Sequence, residues 1–78
     1  VSADQYFNEA ERLLRAVDDV YELAKLLCRR GTVELLRSHR QEAERYLRVA
    51  EAIGRDLDIQ DNSELGQAID ALANAFGT

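Results

Sequence analysis

Apolar residues recur along the first thirty positions with steps that alternate between four and three: Tyr6, Ala10, Leu13, Val17, Val20, Ala24 and Leu27. That is the seam of an α-helix that buries one stripe against another helix, and it does not suit a strand, whose faces alternate every two residues. A second seam follows at Leu36, His39, Ala43, Tyr46, Ala50, Ile53 and Leu57. The two are mirror images about Gly31 and Thr32. Folding the chain back at that point pairs Leu27 with Leu36, Ala24 with His39, Val20 with Ala43, and so on to Tyr6 with Leu57. Most of these layers set an alanine against something larger, which lets two antiparallel helices pack closely.

The expected fold is therefore all-α. It is a three-helix bundle, a long antiparallel helical hairpin over about 3–30 and 33–57 with a short third helix over about 61–76, in a single domain spanning 1–78. Ser2 and Gln5 stand in a capping-box relation, with Val1 and Tyr6 placed as the hydrophobic staple around it. Arg29, Arg30 and Gly31 read as a basic last turn followed by a helix-ending glycine, and Thr32 as the next N-cap. The Asp18-Asp19 pair is able to cap a new helix, but the apolar pattern runs through it without a change of phase, so one continuous helix is expected. Asp61 and Glu64 form a second capping box ahead of Leu65, Ile69, Leu72 and Phe76, with an alternative start at Asp58. Gly54 and Gly66 are expected to allow close backbone approach, with termination of the second helix at Gly54 as the rival. The third helix, about 22 Å long, is expected on the more apolar flank of Phe7, Leu14, Tyr21 and Cys28, reaching to about Tyr21 and not to Gly31.

Composition excludes several classes. An apolar share of 46% is too high for a disordered chain. No apolar run is long enough to span a membrane and no charged-then-apolar leader suggests secretion, so a cytoplasmic protein is expected. The net charge of −5 is concentrated at the C-terminal end, where residues 58–78 carry Asp58, Asp61, Glu64 and Asp70 and no base. A nucleic-acid partner, which calls for a basic face, is not expected.

Catalytic chemistry finds few carriers. One His and one Cys cannot make a zinc site, and a single Glu-x-x-His is wanting for a di-iron bundle because Leu36 stands three residues before His39. There is no glycine-rich phosphate loop and no scaffold for a Ser-His-Asp arrangement. No enzyme, cofactor, metal or small-molecule substrate is expected. His39 falls on the seam over Ala24, either as a packed imidazole bonded to a neighbouring side chain or as a polar register pin. Cys28 is either an apolar filler or, beside Lys25, Arg29 and Arg30, a thiol activated by positive neighbours.

What remains is a non-catalytic helical protein–protein interaction module, self-associating as a homodimer or binding a protein partner. Its expected contact surface lies at the Gly31 end, where Leu23, Leu26, Cys28, Val33 and Leu35 have no internal helix to cover them and Lys25, Arg29, Arg30 and Arg37 surround them. Two alternatives stand beside it. One is a small acidic inhibitor or decoy, of phage or immunity type, that engages a basic surface of a larger machine through Asp58, Asp61, Glu64 and Asp70. The other is an engineered helical bundle.

Overall fold

The computed structural model describes residues 2–77. The described residues contain no strand and form four helices where three were expected: α1 (Ala3–Ala16), α2 (Val20–Leu36), α3 (Arg40–Leu57) and α4 (Glu64–Phe76). Ser2 caps α1 through the expected box, its Oγ accepting from the Gln5 N–H at 3.1 Å while Gln5 Oε1 accepts from the Ser2 N–H at 3.0 Å. The staple between Val1 and Tyr6 lies outside the described residues.

The expected helix over 3–30 breaks at Val17–Asp19. Asp18 turns left-handed with φ 57°, and the Asp19 N–H reaches back to the Leu14 carbonyl at 3.0 Å, which satisfies the end of α1. Asp19 then caps α2 by accepting from the Glu22 N–H at 3.2 Å. A short carboxylate both tolerates the left-handed region and competes for nearby backbone donors, so two in a row can stop one helix and start the next.

Gly31, expected to end the first helix, lies inside α2 without a positive φ. Thr32 caps nothing; its hydroxyl donates to the Cys28 carbonyl one turn back at 3.0 Å. The chain reverses instead at Arg37–His39, where Ser38 adopts φ 66° and the His39 N–H donates to the Glu34 carbonyl at 2.8 Å. His39 is the N-cap position of α3, with its side chain 57% exposed and not packed over Ala24. The long antiparallel pair is thus α2 with α3, and the pairing of Tyr6 through Leu27 with Leu36 through Leu57 does not form. Gly54 is buried inside α3 and does not terminate it; Asp58, with φ 52°, does, and the Ile59 N–H closes on the Gly54 carbonyl at 3.2 Å. The start of α4 is capped by Ser63 accepting from the Gly66 N–H at 3.0 Å, in place of the box expected at Asp61.

Helix α4 lies along α2 and α3, not alongside α1. The Tyr21 hydroxyl accepts from the Leu65 N–H at 3.2 Å, Gly31 adjoins Leu72, and Arg40 donates to the Phe76 carbonyl at 3.0 Å. It therefore covers the Gly31 end that it was expected to miss. Its Leu65 and Leu72 join Ala24 and Cys28 of α2 and Leu47 and Ala50 of α3 in one buried cluster. Helix α1 packs on α2 alone, leaving a flat molecule of 34 × 31 × 16 Å.

Candidate functional site

The residues expected to form an open surface at Gly31 are mostly covered. Leu26 is 4% exposed, Leu23 and Cys28 are equally buried, and Val33 and Leu35 are half-buried, Leu35 against the central cluster. Three of the four bases around them are spent on internal pairs. Lys25 holds Glu22 at 3.2 Å and Glu64 at 2.9 Å, and Arg37 holds Asp4 at 2.8 Å and Glu34 at 2.9 Å. The Arg30 guanidinium sits 5.8 Å from the Phe7 ring centre and 5.2 Å from that of Tyr46, paired with Glu11 at 3.1 Å. It ties α1 to α2 and α3. Arg29, which is exposed, alone of this group has no ion pair among the described residues. This coverage has one cause: α1 folds back over α2 from one side and α4 covers it from the other.

The acidic residues divide. Asp58, Asp61 and Asp70 line a cavity of about 360 Å³ between α3 and α4, with Glu51, Arg55, Ile59 and Ile69. Glu64 turns away to Lys25, which draws its carboxyl below the usual range by a direct hydrogen bond. No group of three His, Cys, Asp or Glu placed to hold a metal ion occurs among the described residues. Cys28 is a filler of the core. Burial pushes its thiol up to about 11, and the Glu51 carboxylate adds to the rise, so it stays protonated at neutral pH.

A different surface opens on α1. The residues predicted to bury the first half of the seam face solvent there: Tyr6 is 54% exposed, Leu13 51% and Val17 71%. Beside them runs a groove of about 280 Å³ between α1 and α2, with Ala10, Leu13, Leu14 and Tyr6 on one wall and Glu22, Lys25, Leu26 and Arg29 on the other. Its floor is apolar and its α2 rim is charged. Phe7, one residue from Tyr6, is the one fully buried side chain of α1, so the helix docks by the neighbouring stripe and leaves the seam open. The seam was legible as apolar; its orientation depended on the turn at Asp18-Asp19, which the unbroken apolar phase argued against.

No described helix is long and apolar enough to cross a membrane. Comparison with family models, with curated proteins and with solved structures returned no match.

Proposed function

We infer that this chain is a non-catalytic helical module that binds protein through the α1–α2 groove. The observation that carries it is the open stripe of Tyr6, Leu13 and Val17, continuous with an apolar groove whose α2 rim is charged. An apolar stripe left uncovered on a small domain, with charge at its margin, is the composition of a contact surface: a desolvated centre and a polar rim. Leu36 at the end of α2 and Val49 and Leu57 on α3 are also exposed, but none of them lines this groove.

The test is site-specific photocrosslinking in an extract of the source organism. A photoreactive residue at position 13 yields a discrete adduct that Val17→Glu abolishes, while the same residue at exposed position 41 on α3 yields none. No adduct from position 13 defeats the proposal.

A second reading, a small acidic inhibitor, is supported by the convergence of Asp58, Asp61 and Asp70 on the cavity between α3 and α4. Arg55 in the same wall partly offsets their charge. Under this reading Asp61→Lys with Asp70→Lys removes binding and Leu13→Glu spares it.

A further inference from the structure

The open surface has a symmetry that points to its occupant. Along α1 the seam positions Tyr6, Ala10, Leu13 and Val17 are palindromic about the point midway between residues 11 and 12. Along α2 the groove residues Glu22, Lys25, Leu26 and Arg29 are palindromic about the point midway between residues 25 and 26. The hairpin reverses at Asp18, so both midpoints lie about seven residues, or ~10 Å, from the turn and at nearly the same height. One twofold axis at that height, perpendicular to the helices, therefore acts on both walls together.

Taking the groove as the interaction surface inferred above, we propose that its occupant is a second copy of this chain, which closes two α1–α2 hairpins into an antiparallel four-helix arrangement. The axis sets Tyr6 against Val17 of the second copy and Ala10 against Leu13, pairing large with small in the manner of a helix seam. It sets Arg29 against Glu22 of the second copy, twice over. That charge match answers an imbalance within one chain. Arg29 has no ion pair among the described residues, while Glu22 shares the single ammonium of Lys25 with Glu64. A surface complementary to itself under a twofold axis makes a closed dimer and not a filament.

Sedimentation equilibrium of the purified chain at about 100 µM tests this. The wild type gives twice the 8.8 kDa chain mass. Leu13→Glu sediments as a monomer with its helical circular dichroism retained. Arg29→Glu and Glu22→Arg, each alone, place like charges across the axis and weaken the dimer at least tenfold. An equimolar mixture of these two variants restores it, because both cross-axis pairs are then of opposite sign. A monomeric wild type overturns the proposal. So does a dimer that Leu13→Glu leaves intact, or a mixture no stronger than its components. The groove's role as an interaction surface fails separately: an adduct of position 13 with a protein other than this chain keeps that role and removes the second copy, whereas no adduct removes both.

Discussion

Gly31 lies so close to Leu72 that a methyl group added to its α-carbon would stand 2.7 Å from Leu72 Cδ2. A glycine that looks like a helix terminator is thus the point where α2 admits α4. Leu72 is 1% exposed and has little room to withdraw. Gly31→Ala gains about 1 kcal/mol of helix propensity, but overpacking of this kind costs about 1–3 kcal/mol. The expected net effect is a loss of about 1 kcal/mol. In a Leu72→Val background, which removes both Cδ atoms, the same substitution should turn neutral or stabilising. Urea melts of the four proteins give the coupling directly. Equal effects in both backgrounds would contradict the contact.

Three helices end on a non-glycine residue in the left-handed region: Asp18, Ser38 and Asp58. Aspartate accepts that conformation more readily than serine does. Ser38→Gly should therefore stabilise the chain by about 0.5–1 kcal/mol, since glycine reaches the same φ without a Cβ penalty. An unchanged or lower urea midpoint would argue against the turn at Arg37–His39.

Leu26 and Leu13 both contribute to the groove, yet one is core and the other is surface. Leu26→Glu buries a carboxylate at a position 4% exposed and should cost on the order of 3 kcal/mol or more. Leu13→Glu, half-exposed, should stay within about 0.5 kcal/mol when melted near 1 µM, where association contributes little. The two melts distinguish a buried lining residue from an exposed one. Matching losses would mean that α1 is more deeply packed than described.

Acid should loosen the junction of α2 with α3 and the hold of α1 upon it. The Glu34 carboxyl lies below its usual value of 4.5 because it bonds His39 Nδ1 at 2.8 Å and, second, the Arg37 guanidinium. Asp4 is lowered in turn by its hydrogen bond to Arg37. A carboxyl whose folded pKa is depressed contributes stability that is present above its unfolded value and lost as pH falls through the folded one. The melting temperature should accordingly drop as pH goes from about 4.5 downward, near the unfolded values of these acids. Glu34→Gln should make that fall shallower. A melt that declines identically with and without Glu34 would remove it from the account.

Cys28 should be unreactive while the chain is folded. Its thiol, raised to about 11 by burial, carries almost no thiolate at pH 8. Alkylation by iodoacetamide at that pH should follow unfolding, proceeding at least a hundredfold faster in urea. Rapid labelling of the native chain would show the core around Ala24, Leu47 and Leu65 to be open.

The helical class and the capping box of Ser2 and Gln5 were determined by sequence alone, as was the presence of helix within the expected spans of about 33–57 and 61–76, though not where those helices start. Each rests on a local rule: a period near 3.6 for the apolar positions, or a side chain that satisfies a free N–H one turn away. What the tertiary structure decided was phase and reversal. Tyr6, Leu13 and Val17 carry the right spacing to be a core seam, but an adjacent stripe bearing Phe7 and Leu14 packs on α2 in its place. Spacing specifies that a face is apolar and not which face wins. Gly31 and Asp18 show the same limit at the turns. Ending a helix at glycine or continuing through it differs locally by about 1 kcal/mol, and burying Leu72 of α4 against that glycine outweighs the difference.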